Sequence, residues 1–141
     1  DDIVFVKIKT GKDISSIFQL ISKNIDCFKV ESKKFKRLEK DSGEGFYEEI
    51  FKNDKLFLFK KYQKKEFRRL DKNYVYYEYY SDKPLFFLRT KGILHSFNSK
   101  KEVISLYPDK KKEIRRFYKQ YKQLLKDNPD SFAKNLLNSL L

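Results

Sequence analysis

Residues 74–108 read YVYYEYYSDKPLFFLRTKGILHSFNSKKEVISLYP, and this stretch decides the fold class. From Tyr74 to Tyr80 every position except Glu78 is aromatic or β-branched, a composition that fits a pleated, partly covered surface. Ser81-Asp82-Lys83-Pro84 turns this run into Leu85-Phe86-Phe87-Leu88, and Thr90-Lys91-Gly92 turns that one into Ile93-Leu94-His95-Ser96-Phe97. Short β-runs therefore follow one another at hairpin spacing. After Phe97 the hydrophobic period changes from two to about 3.6. Ser99-Lys100-Lys101-Glu102 has the form of a capping box, with Ser99 accepting from the Glu102 amide and Glu102 reaching back. The helix it opens is expected to run through Val103, Ile104 and Tyr107 and to stop at Pro108.

Upstream, the same β pattern continues. Phe28 to Val30 and Phe35 to Leu38 flank Glu31-Ser32-Lys33-Lys34, Gly43-Glu44-Gly45 introduces Phe46 to Phe51, and Asn53-Asp54 turns the chain into Leu56-Phe57-Leu58-Phe59. Connections of a few residues suit antiparallel pairing and leave no room for crossover helices. Downstream, Ile114, Phe117, Tyr118, Tyr121, Leu124 and Leu125 form an apolar stripe for a helix of about 15 residues. Asn128-Pro129 then supplies a cap and a first-turn proline for a last helix with Phe132, Leu136, Leu137 and Leu140 on one face. The expected fold is α+β: an antiparallel β-meander of about six or seven strands followed by two or three C-terminal helices. Residues 1–141 read as one domain, mainly β over 1–99 and helical over 100–141.

The N-terminal segment reads two ways. Ile3 to Ile8 alternate as a strand ended by Gly11, and then Ile14, Ile17, Phe18 and Ile21 fall at i, i+3, i+4 and i+7 behind Asp13. That spacing predicts a capped amphipathic helix over residues 13–23, with a strand as the alternative.

The chain of 141 residues carries 33 Lys and Arg against 20 Asp and Glu, a net charge of +13. Aromatics make up 17% of it, enough for a sizeable core, so disorder by composition is excluded. No apolar run approaches the roughly 18 residues of a membrane-spanning helix. A charge this far from zero favours anionic partners. However, 27 of the 33 basic residues are Lys, Ala occurs once and Gly four times, so part of the basicity reflects A/T-rich codons. The absence of Met suggests a processed chain or the C-terminal portion of a longer precursor.

Motifs for catalysis are few. One Cys and one His cannot form a zinc site, and no metal or cofactor is expected. His95 reads as a strand histidine at a sheet surface or edge, and Cys27 as a small buried apolar residue. Glu48 and Glu49 are adjacent on a strand and point to opposite faces, which reads as a solvated strand edge. Gly43-Glu44-Gly45 lacks the later Gly and the following helix of a phosphate loop.

Two basic clusters remain. Residues 52–72 carry nine basic and three acidic side chains, and residues 100–141 carry eleven and five. The candidate surface for an anionic partner is Lys60, Lys61, Arg68, Arg69, Lys111, Lys112, Arg115, Arg116, Lys119 and Lys122. One use of it is a single-stranded nucleic-acid platform, with Tyr76, Tyr77 and Tyr79 stacking on bases beside Lys60, Lys61, Arg68 and Arg69. A basic ribonuclease using His95 is the remaining, weakest reading.

Gly45-Phe46-Tyr47-Glu48, Lys55-Leu56-Phe57-Leu58-Phe59-Lys60-Lys61-Tyr62 and Ile104-Ser105-Leu106-Tyr107-Pro108-Asp109-Lys110-Lys111-Lys112-Glu113-Ile114 resemble a group of uncharacterised Bacteroidetes proteins that often carry a signal peptide. In these a Phe-x-x-Leu/Val hairpin, matched here by Phe35-Lys36-Arg37-Leu38, precedes further strand pairs, a short helix ending in Pro-Asp-Lys-Lys and a basic helix. The resemblance spans about residues 28 to 127. It concerns fold and contributes no functional residue. It implies export to the periplasm or cell envelope, with a cytoplasmic location as the alternative. The function expected is then non-enzymatic: contact with a protein partner or an anionic envelope surface, with nucleic acid second.

Overall fold

A computed structural model describes residues 4–9, 15–38, 44–71 and 74–141. The protein is α+β, with antiparallel strands followed by C-terminal helices. Ten strands and four α-helices lie among the described residues. None of these helices is long and apolar enough to cross a membrane.

The first two strands, β1 (Val4–Lys9) and β2 (Ser15–Leu20), pair antiparallel from Val4↔Leu20 to Lys9↔Ser15. The helix expected over 13–23 is therefore replaced by its alternative, a strand. Ile17 and Ile21, meant for a buried helical face, are both 67% exposed. Ser15-Ser16 and the β-branched isoleucines are weak helix formers, and pairing with β1 satisfies the backbone that a helix would have served. Ile3, Gly11, Asp13 and Ile14 lie outside the described residues, as does Gly43.

Strands β3 (Cys27–Val30), β4 (Lys33–Leu38), β5 (Gly45–Lys52) and β6 (Leu56–Lys61) follow the expected runs. The chain then forms β7 (Lys64–Asp71), β8 (Tyr74–Ser81), β9 (Leu85–Thr90) and β10 (Ile93–Ser96). Six strands share one sheet in the order β10-β9-β6-β5-β4-β3. The meander is interrupted: β6 pairs with β9, while among the described residues β7 and β8 pair only with each other, in register from Lys64↔Ser81 to Asp71↔Tyr74. Two turns act as the sequence requires. Asn53 Oδ1 accepts from the Lys55 and Leu56 amides, both at 2.9 Å. The two-residue loop between β9 and β10 holds Lys91 at φ 50° and Gly92 at φ 81°, the doubly left-handed geometry that matches strand twist in tight hairpins.

The chain divides between Glu48 and Glu49 into two compact units. In the first, Phe28, Phe35 and Glu48 form one cross-strand row. The Phe28 ring stacks on Phe35 with centroids 4.9 Å apart and meets Phe46 edge-on, also at 4.9 Å. Leu38, Phe46 and Tyr47 are buried. Arg37 donates to the Lys23 carbonyl at 2.6 Å and to Glu44 at 2.8 Å.

In the second unit, Leu56 and Leu58 of β6 and Phe86 and Leu88 of β9 face the helices. Val103 of α1 (Lys100–Leu106), Ile114 of α2 (Lys111–Gln120) and Phe132, Ala133, Leu136, Leu137 and Leu140 of α4 (Pro129–Leu140) close that core. Leu58, Leu88, Val103, Ile114, Leu136 and Leu137 are fully buried, and burying each Leu or Ile gains about 1.5–3 kcal/mol. Phe59 and Phe87, paired across the strands, are buried on the opposite face. The long basic helix is broken at Tyr121 (φ −103°, ψ 28°) into α2 and α3 (Lys122–Asp127). The i→i−4 hydrogen bonds nevertheless continue through the break, Tyr121 to Phe117 and Leu125 to Tyr121.

Candidate anionic-partner site

The site is built from two helices whose ends were written in the sequence. The Ser99 capping box forms as expected: Ser99 Oγ accepts from the Glu102 amide at 3.2 Å, and Glu102 Oε2 accepts from the Ser99 and Asn98 amides at 2.8 and 2.9 Å. Burial works against the charge of Glu102, yet the hydrogen bonds from Ser96, Asn98 and Ser99 outweigh it and hold the carboxyl below its ordinary range. Pro108 ends α1 and opens a single 3-10 turn, Pro108–Lys110, which leads directly into α2. The short connection keeps the two helices side by side.

Ile114 anchors α2 with no exposed surface. Lys111, Arg115 and Lys119 then fall at i, i+4 and i+8 as one exposed stripe. Together with Lys100, Lys101, Ile104 and Ser105 of α1 they line an open groove of about 750 Å³. Among the described residues, five cationic side chains and the Ser105 hydroxyl border this groove, and no carboxylate does. Lys111 and Lys112 also occupy the first turn of α2, where the helix dipole disfavours cations by about 0.3–1 kcal/mol each, with Glu113 the one acid there. The stripe is thus a place where the fold holds unneutralised positive charge, which an anion would relieve.

Of the ten residues proposed from sequence, the structure brings Lys111, Arg115 and Lys119 together in the groove. Lys112, Arg116 and Lys122 are exposed elsewhere along α2 and α3. Lys61 is half-buried at the end of β6. Lys60 is a correction: it is 9% exposed, its Nζ lies 2.7 Å from Asp130 Oδ2 and 4.6 Å from the Tyr62 ring centre, and it belongs to the core. Its strand position alternates with Phe59, and the even-numbered side chains of β6 face the helices.

Arg68 and Arg69 lie on the β7–β8 ribbon, which carries the tyrosine run. Tyr74, Tyr76, Tyr77, Tyr79 and Tyr80 are exposed. Cross-strand register puts Tyr77 and Tyr79 with Arg68 on one face and Tyr76 with Arg69 on the other. Arg69 pairs with Glu78 at 3.0 Å. The stacking trio expected from sequence is therefore split between two faces, because neighbouring positions on a strand alternate.

Other residues also depart from their reading. Cys27 is exposed on β3, the end strand of its sheet. Glu48 is buried and Glu49 half-buried, because β5 is an interior strand and not a solvated edge. His95 sits on the end strand β10, as expected. Among the described residues no three His, Cys, Asp or Glu side chains gather as a metal site would need. Lys72 lies outside the described residues. Sequence reasoning missed Lys100, Lys101 and Ser105; the available signal was the tight Pro108 connection, which must set the first turn of α1 beside α2. No protein-family model matches the chain, and no curated protein or solved structure does.

Proposed function

We propose that the protein is a non-enzymatic interaction module of the cell envelope that docks on an anionic envelope surface through the groove between α1 and α2. The observation that carries this reading is the set of five cations bordering one groove without a carboxylate among the described residues that line it. The resemblance to exported Bacteroidetes proteins supports the compartment. Near an anionic lipid surface each Lys or Arg contributes about 1 kcal/mol. Reversing Lys111, Arg115 and Lys119 to Glu should therefore weaken binding to phosphatidylglycerol vesicles by at least about 100-fold. Co-sedimentation at low and high salt tests it; equal sedimentation of wild type and triple variant, or equal binding to neutral phosphatidylcholine vesicles, refutes it.

A second reading is single-stranded nucleic acid on the β7–β8 ribbon, favoured by Tyr77 and Tyr79 sharing an exposed face with Arg68. It requires an affinity that falls by roughly 0.7 log unit per log unit of salt for each phosphate contacted. An oligonucleotide anisotropy titration without that slope removes it.

A further inference from the structure

The second unit holds another concavity, of about 580 Å³, that shares no residue with the basic groove. This volume lies within the roughly 300–1,000 Å³ typical of small-molecule sites. Its walls include Phe86, Phe97, Phe132, Ala133 and Leu136, all core residues. The polar groups inside are largely committed. Asn98 Oδ1 accepts from the Phe86 amide at 2.6 Å, and its Nδ2 donates to Ser96 Oγ at 2.8 Å. Burial, helped by the Glu102 charge, pushes the Tyr118 hydroxyl up to about 12, so it stays neutral.

The other polar lining residues are Lys83 and Lys126, both exposed and therefore at the mouth. Of the acids adjoining them in sequence, Asp82 accepts from the Lys83 backbone amide and offsets part of the Lys83 charge, so Lys126 is the less compensated of the two cations. Asp82 pairs with Lys65 at 3.1 Å, and both Asp127 oxygens accept from Gln123 at 3.0 and 2.9 Å. An apolar wall with a cationic mouth complements one class of molecule: a single aliphatic chain ending in an anionic head.

We propose that this pocket binds a free medium-chain fatty acid, with the chain along Phe86, Phe97, Phe132, Ala133 and Leu136 and the carboxylate at Lys83 and Lys126. The site is independent of docking through α1 and α2. The head is held at a wet mouth, where its charge keeps solvent on one side, and the chain supplies the affinity by leaving water.

Isothermal titration of the full chain with sodium dodecanoate, decanoate and dodecyltrimethylammonium, all below their micelle concentrations, tests the assignment. Dodecanoate should bind, and decanoate, two methylenes shorter, should bind about 15-fold more weakly. The cationic amphiphile should bind at least tenfold more weakly than dodecanoate. Lys83→Glu with Lys126→Glu should cost dodecanoate at least tenfold, and Ala133→Phe, which fills the pocket, should abolish binding. If Phe at 133 prevents folding, Leu125→Glu at the lining position that is 37% exposed serves instead and should also weaken binding tenfold. The Lys111, Arg115 and Lys119 reversals should leave dodecanoate binding unchanged. No dodecanoate binding, equal affinity for the cationic amphiphile, or binding insensitive to the pocket variants would overturn the proposal. So would sensitivity confined to the α2 reversals.

Discussion

Removing Asp130 should destabilise the protein more than removing Lys60, although the two form one ion pair. Lys60 Nζ and Asp130 Oδ2 are 2.7 Å apart, and their side chains are 11% and 32% exposed. Asp130→Ala leaves an ammonium nearly nine-tenths buried, with the Tyr62 ring as a remaining neighbour. Loss of one partner from a fully buried pair costs about 3–5 kcal/mol, and residual hydration of Lys60 reduces this to about 2–4 kcal/mol. Lys60→Met keeps the aliphatic packing of the stem and leaves a carboxylate one-third in water. That carboxylate stands in the first turn of α4, where the helix dipole favours it by about 0.3–1 kcal/mol. The expected cost is about 1 kcal/mol. Urea denaturation of both single variants and of the double variant forms a double-mutant cycle with an expected coupling of about 1–3 kcal/mol. In thermal melts the asymmetry should appear as a drop roughly 3–10 °C larger for Asp130→Ala. Equal costs, a larger cost for Lys60→Met, or a coupling below about 0.3 kcal/mol would refute the claim that unequal burial sets the balance.

Three further outcomes follow from the same geometry. Ser99→Ala removes the side-chain acceptor of the α1 capping box and should cost about 1 kcal/mol in chemical denaturation. Because hydrogen bonds from Ser96, Asn98 and Ser99 hold the Glu102 carboxyl below the ordinary value for Glu, it binds fewer protons folded than unfolded in that range. Its stabilisation is present above that value and is lost as pH falls through the lower folded value, so Glu102→Gln should flatten the acid limb of a stability–pH curve. Tyr118 behaves in the opposite sense: raised to about 12, it keeps its proton when folded while the unfolded chain loses it from about pH 10, so its contribution should decline between those values and Tyr118→Phe should make the alkaline limb shallower. Replacing residues 62–84 by Asn-Gly joins Lys61 to Leu85, which are already Cα partners; because β7 and β8 form a separate two-stranded sheet, circular dichroism should show cooperative unfolding with a loss below about 1 kcal/mol.

Much of the fold was legible because local chemistry and tertiary structure agree. The Ser99 box, the Asn53 turn, the Lys91-Gly92 hairpin and the Asn128-Pro129 cap each satisfy backbone groups within a few residues, so no distant partner can overrule them. Residues 15–20 were harder: their apolar spacing suits a helix as well as a strand, and pairing with β1 tipped the balance. Strand β7 gave no signal at all. Its sequence, Lys64-Lys65-Glu66-Phe67-Arg68-Arg69-Leu70-Asp71, is charged on both faces because much of the ribbon is exposed on both, so the alternation that marks a half-buried strand is missing.

The site divides along the same line. That α2 carries a cationic stripe flanking Ile114 follows from 3.6-residue periodicity and needs no coordinates. Which cations share a groove depends on what lies across from the stripe, and only packing brought Lys100 and Lys101 to Lys111, Arg115 and Lys119. The same packing withdrew Lys60 into the core beside Asp130, 70 residues further along the chain. Outside β2 and β7, sequence alone determined the element types, their caps and the sign of the charge, because these depend on neighbours within one turn. Tertiary structure decided which charges are available to a partner, because burial is a property of what the rest of the chain places on top of them.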